Sequence, residues 1–135
     1  VKMKIIVCVD KSNGMLFNSR RQSQDEELRK RIIEISKNSK LLMNDYSAKQ
    51  FENKNNIFIS ENFLNEAEKE NYCFIENSEI PTEGLEEIII YKWNRKYPAD
   101  TYFEIDLKKG FKKISSTDFS GSSHEKITEE IYIKK

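Results

Sequence analysis

Apolar residues in this chain come in short bursts divided by polar stretches, and the bursts have the length of strands. The first is Ile5-Ile6-Val7-Cys8-Val9, mostly β-branched, ending at Asp10-Lys11-Ser12-Asn13-Gly14. A run this short that stops at a turn predicts a strand buried on both faces. Similar runs predict strands at Lys40–Met43, Asn56–Ser60, Tyr72–Ile75, Glu87–Trp93 and Tyr102–Asp106. Helical spacing appears between them. Over Asp25–Lys37, Leu28, Ile32, Ile33 and Ile35 lie on one side, and Ser23 followed by Glu26 fits a capping box. The acids Asp25, Glu26 and Glu27 suit the positive end of that helix.

A short helix is predicted from Asn44-Asp45-Tyr46-Ser47 through Phe51, with a break at Glu52–Lys54. A helical connection over Asn62–Glu70 follows, with Phe63, Leu64 and Ala67 as its apolar side. Phe111–Ser115 and Lys126–Lys134 read as the arms of an antiparallel pair around a flexible polar loop, Ser116–Ser123. Strand–helix units followed by a hairpin predict one α/β domain over residues 1–135. Its architecture is three-layered: a mixed, mostly parallel sheet with helices on both faces and an antiparallel C-terminal hairpin.

Composition narrows the partners. Twenty-three basic residues balance 23 acidic ones, so no net field attracts nucleic acid or an anionic membrane. Tyr91, Trp93, Tyr97, Tyr102 and Phe103 cluster near Lys92, Arg95 and Lys96, but with zero net charge they read as packing rather than as a base-stacking platform. Cys8 and Cys73 both sit in apolar runs and read as buried free thiols. A disulfide framework and a metal site both lack the ligand spacing they need. No apolar stretch reaches the roughly 18 residues of a membrane span, and the reading is a cytoplasmic protein.

Ligands of α/β sheets bind beyond the carboxyl ends of the strands, which directs attention to the loop from Asp10 to Gln24. Arg20 and Arg21 beside a helix N-terminus can grip a phosphate or carboxylate, although only one of two adjacent side chains points inward. The competing reading is a solvated loop whose Ser23 only caps the helix. Among Asp25, Glu26 and Glu27, a carboxylate buried against the crevice would act as a general acid. His124, the single histidine, lies in a Ser-Gly-Ser-Ser stretch and is expected to be exposed, with no local acid or nucleophile to make a triad.

Several stretches, in order along most of the chain, resemble dihydrofolate reductase. IIVCVDKSNGM is similar to that family's first strand and mobile loop, and KLLMNDYSAKQF to its Met-Gly-Arg-x-Thr region. NNIFIS resembles the next strand, PADTYFEID the Gly-Asp-Thr-x-Phe-Pro-x-Ile-Asp segment, and FKKISSTDFSG with EKITEEIYIKK the closing hairpin. The resemblance implies a pterin-type crevice in which Glu27 is the counterpart of the acid that supports protonation, with Asp25 and Glu26 its neighbours in register. It implies that Ser47 offers a hydroxyl to a cofactor phosphate and that Tyr91 stands where the family has a threonine.

The departures point away from reduction. Ser19-Arg20-Arg21-Gln22 replaces an apolar Leu-Pro-Trp wall, and Asp45 stands where a cofactor-binding arginine belongs. The family's strand ending in Ile-Gly-Gly and its following helix are lost, and no Gly-Gly pair exists in the chain. The expectation is a relative without NADPH or any other cofactor, binding a small planar or anionic ligand through Cys8, Asp10, Arg20, Arg21, Gln22 and Tyr91, with Glu27 as its acid. Two rivals stand beside it. One is an NADPH-dependent reductase of a folate-like substrate with a remodelled site; the other is a protein-interaction module that forms a homodimer and takes no ligand.

Overall fold

The computed structural model describes residues 3–52 and 56–135, so Asn53 and Lys54 of the expected break lie outside the described residues. In chain order the elements are β1 (Met3–Val9), β2 (Gly14–Phe17), β3 (Arg20–Arg21), α1 (Glu26–Ser36), β4 (Leu41–Met43), α2 (Asp45–Ala48), β5 (Ile57–Ile59), α3 (Phe63–Glu66), β6 (Tyr72–Phe74), β7 (Leu85–Lys92), β8 (Thr101–Tyr102), β9 (Phe111–Phe119) and β10 (Ile127–Lys134). The main sheet has the order β5-β4-β6-β1-β7-β10-β9. Its first five strands are parallel, and β10 joins β7 and β9 antiparallel. This is the mixed sheet that the order of runs predicts.

β1 is central because its residues can be buried on both faces. Ile5, Val7 and Val9 point into one core with Leu42, Phe63, Ile88 and Ile90. Ile6 points into the other, where α1 contributes Leu28 and Ile32 and α2 contributes Ala48. Alternation of side chains along a strand thus feeds two cores from one segment. α1 and α2 cover one face, α3 and the residues after β1 the other. The outer strands are less protected: Phe58 and Ile59 of β5 are about half exposed, and β9 presents Lys112, Lys113 and Ile114 to solvent.

The polar stretch after β1 is more ordered than a plain loop. β2 and β3 form a hairpin whose two-residue turn, Asn18-Ser19, has both φ values positive, at 52° and 62°. That is the twist a tight hairpin requires. β2 also pairs with β8, making a second sheet of three short strands. β8 stops at Tyr102, short of the expected Asp106, because β2 offers partners only from Gly14 to Leu16. α3 is one turn long; Ala67 is already extended, and the Asn71 side chain accepts from the Glu68 N–H at 3.0 Å.

The C-terminal hairpin is longer than its apolar pattern. β9 runs on to Phe119, where Thr117, Asp118 and Phe119 pair with Glu129, Thr128 and Ile127. The Phe119 ring meets Tyr91 edge-on, with centroids 6.2 Å apart, which anchors what reads in sequence as the start of a flexible loop.

Candidate functional site

Asp10 ends β1 as a clasp. Its Oδ1 accepts the N–H groups of Ser12 and Gly14, each at 2.8 Å, and its Oδ2 accepts Tyr97 N–H at 3.1 Å and Gln22 Nε2 at 3.0 Å. Burial opposes its ionisation, yet the N–H groups of Gly14, Tyr97 and Ser12, with the Gln22 amide, hold the carboxyl below its ordinary 3.8. With four donors already in place, Asp10 shapes the loop and has little capacity left for a ligand. Gly14 is required here: a Cβ would lie 2.6 Å from Ala99 Cβ and 2.7 Å from Gln22 Nε2.

The adjacent arginines part company. Arg21 turns inward, its Nε 3.0 Å from Glu76 Oε2 and its Nη2 3.2 Å from Glu76 Oε1. The same Nη2 donates to the Tyr46 carbonyl at 3.1 Å, and the guanidinium lies over the Tyr46 ring. Glu76 follows Ile75 at the carboxyl end of β6, between β4 and β1. It also accepts Ser47 Oγ at 2.8 Å and Gln50 Nε2 at 3.1 Å. Cys8 borders this cluster, since burial and then the Glu76 charge push its thiol well above the ordinary 9.0, with Arg21 pulling the other way. The structure therefore gathers Cys8, Arg21 and Ser47 around a residue that sequence reasoning missed, Glu76. The sole signal for it was an acid directly after the run Cys73-Phe74-Ile75.

Arg20 faces solvent, with no carboxylate partner among the described residues. It lines an open groove of about 520 Å³ together with Phe17, Gln22, Tyr97 and Pro98. Gln22 Oε1 is buried and has no hydrogen-bond partner among the described residues.

Glu27 is not in the crevice. Its carboxylate is exposed on the outer side of α1, 3.2 Å from Lys30 Nζ. The buried acid is its neighbour Asp25, which also displaces Ser23 as the cap: Asp25 Oδ1 accepts from Glu27 and Leu28 N–H. A carboxylate so placed satisfies two orphan donors and the helix dipole at once, and Ser23 Oγ is drawn off to His124. Nor is His124 exposed; it is 5% accessible. Its Nδ1 lies 2.9 Å from Asp25 Oδ2, its Nε2 is 2.9 Å from Ser23 Oγ and 3.1 Å from Tyr97 OH, and its ring stacks on Trp93. Asp25 accepts further from the N–H groups of Ser122 and Ser123. Burial raises its pKa, but His124 and these amides outweigh burial and hold it well below the ordinary 3.8.

Tyr91 belongs to the core. Its ring is fully buried and its hydroxyl donates to Glu129 at 2.8 Å, while Arg31 grips the same carboxylate in fork geometry at 2.7 and 3.1 Å. Burial, with Glu129 alongside, pushes the phenol far above its ordinary value. Tyr91 is satisfied internally and is not placed to meet a ligand. Cys73 is buried too, its thiol pushed up to about 12. Among the described residues no group of three His, Cys, Asp or Glu side chains could hold a metal ion. No helix among them is long and apolar enough to cross a membrane.

Sheet order, two-sided burial of β1 and the C-terminal hairpin together define a dihydrofolate reductase-like α/β fold. No family model matches the sequence, and no curated protein sequence does either. Among solved structures, the fold is similar to dihydrofolate reductase from Enterococcus faecalis complexed with NADP(H) and RAB-propyl. The TM-score is 0.69 at 13% identity, and the likeness covers 98% of this chain and 96% of that one.

A nicotinamide cofactor, which such a fold suggests, does not suit the residues at the carboxyl end of β6. Glu76 takes up Ser47 and Arg21 there, and between β6 and β7 the described chain forms no helix whose N-terminus could receive a phosphate. A dinucleotide phosphate would find its donors already taken by an internal carboxylate.

Proposed function

We propose that this chain is a small-molecule binding domain on a dihydrofolate reductase-like scaffold, without NADPH-dependent reduction, and that it takes a small planar anion in the groove beside Arg20. The observation that carries this reading is the division between the two arginines. Both border the open groove, but Arg21 is neutralised by Glu76, while Arg20 has no carboxylate partner among the described residues. Phe17 and Tyr97 offer apolar ring surface to a planar group. Arg20 supplies a fork suited to a carboxylate.

Thermal unfolding with NADPH, folate, dihydrofolate and methotrexate at millimolar concentration tests the reading. A ligand at 100 times its Kd adds about 2.7 kcal/mol, a rise of several degrees for a domain of this size. The expected outcome is a rise with the folates, which carry a planar ring and carboxylates. That rise disappears in Arg20→Ala, and NADPH gives none. A rise with NADPH, or one with folates that survives Arg20→Ala, overturns the reading.

A further inference from the structure

Ser23 and Asp25 approach His124 from the start of α1, and the hairpin carries His124 to them from 101 and 99 residues away. Asp25 is ionised and buried, so the nitrogen facing it, Nδ1, carries the proton. Nε2 is then the basic nitrogen, and it faces the Ser23 hydroxyl at 2.9 Å. Six donor contacts fix the acid: the N–H groups of Glu27, Leu28, Ser122 and Ser123, the Ser123 hydroxyl, and His124 itself. Trp93, stacked 4.6 Å from the imidazole with 28° between planes, fixes the ring. A nucleophile, a base and an acid that orients the base stand in hydrogen-bonded sequence, the relation by which such triads are recognised on unrelated folds.

From this arrangement we infer a second chemistry for the chain: Ser23 and His124, with Asp25 as a positioning residue, form a nucleophilic triad that hydrolyses small, unhindered carboxylic esters. Ser23 is half-buried, and its chain neighbour Gln22 and its fellow partner on His124, Tyr97, line an open groove; so limited an exposure suits a small acyl group. In the first step Ser23 Oγ bonds to the ester carbonyl carbon as its proton passes to His124 Nε2. The tetrahedral adduct then expels the alcohol, which leaves with that proton, and an acyl-Ser23 remains. Water adds to the acyl carbon, giving its proton to Nε2. The bond to Ser23 Oγ breaks, the proton returns to Oγ, and the carboxylic acid departs.

Tyr97 supplies a stabilising donor. Its hydroxyl lies 3.1 Å from the same Nε2, yet that nitrogen has one lone pair and two hydroxyl neighbours. Once the Ser23 proton has passed to Nε2, that nitrogen no longer accepts, and the Tyr97 proton is free to turn to the oxyanion of the Ser23 adduct. None of this chemistry requires an anion at Arg20, so it stands apart from the groove reading.

The test treats the full chain with p-nitrophenyl acetate and with a serine-directed alkyl fluorophosphonate. The expected results are nitrophenol release above the buffer rate and one phosphonyl adduct, placed on Ser23 by tandem mass spectrometry. Ser23→Ala is expected to lower the hydrolysis rate by about a hundredfold or more while the unfolding midpoint holds. Ser23→Cys is expected to retain acyl transfer and accumulate an acetyl thioester at position 23. An unlabelled wild-type chain, an adduct at another hydroxyl, or hydrolysis unchanged in Ser23→Ala overturns the inference.

Discussion

Replacing Asp25 with alanine removes the helix cap and the anchor of the 122–124 turn in one step. The side chain is fully buried, and Glu27, Leu28, Ser122, Ser123 and His124 all donate to it. Loss of an N-cap costs about 1 kcal/mol. Each donor left buried without an acceptor costs about 1–3 kcal/mol, reduced where the turn relaxes and admits water. With one such donor remaining dry, the loss is about 2–4 kcal/mol, which at this size lowers Tm by about 6–16 °C. Urea unfolding at pH 7 measures it directly. Asp25→Asn is expected to recover part of the loss: its amide oxygen can still accept the α1 N–H groups, but its NH₂ faces the Ser123 amide. Glu27→Ala, an exposed acid paired with Lys30, is expected to stay within about 0.5 kcal/mol of wild type. A loss below about 1 kcal/mol in Asp25→Ala would refute the claim that this carboxylate ties the start of α1 to the hairpin.

Acid titration follows from the same groups. Asp25 and Asp10 both have pKa values held below the ordinary 3.8, so the folded state binds fewer protons than the unfolded chain. Their contribution is complete above that value and lost as pH falls through it toward the folded values. Unfolding free energy should be flat from about pH 7 to 5, fall below about pH 4, and fall less steeply in Asp25→Ala. Gly14→Ala forces a methyl into Ala99 and the Gln22 amide, and should cost about 1–3 kcal/mol in urea melts. The raised thiol pKa values of Cys8 and Cys73 predict slow alkylation by iodoacetamide at pH 8 in the folded protein and prompt reaction in urea. Arg21→Ala leaves Glu76 without its counter-charge and should cost about 2–4 kcal/mol, whereas Arg21→Leu combined with Glu76→Leu should cost less than the single change.

Much of the fold was legible because burial leaves a mark on composition. β1 and β7 lie between two neighbours and are covered on both faces, so they had to be continuous apolar runs, and each stood out. β2 and β3 lacked such a mark. Their hairpin turns at Asn18-Ser19, and Asn alone tolerates positive φ without announcing a turn as Asn-Gly would. β9 was read short for a related reason. It is an edge strand whose outer half, Ser115 to Asp118, is polar, and its pairing is set by β10 rather than by its own pattern.

The site was harder to read because its partners are distant in sequence and join through polar atoms. A capping box favours Ser23 on spacing alone, but a fixed carboxylate next to the first helical turn is the stronger acceptor, and it also has the hairpin's amides to hold. Ser23 is thereby released to His124, and the histidine, read as exposed within a serine-rich stretch, becomes buried by pairing with an acid that no local pattern links to it. The two arginines follow the same logic. Spacing said that one of them turns inward; only the tertiary position of Glu76, at the end of β6, decides that it is Arg21. Once Glu76 claims Arg21 and Ser47, the donors in the crevice that the resemblance marked for a cofactor are spent internally, and the charge left for an outside ligand is Arg20's.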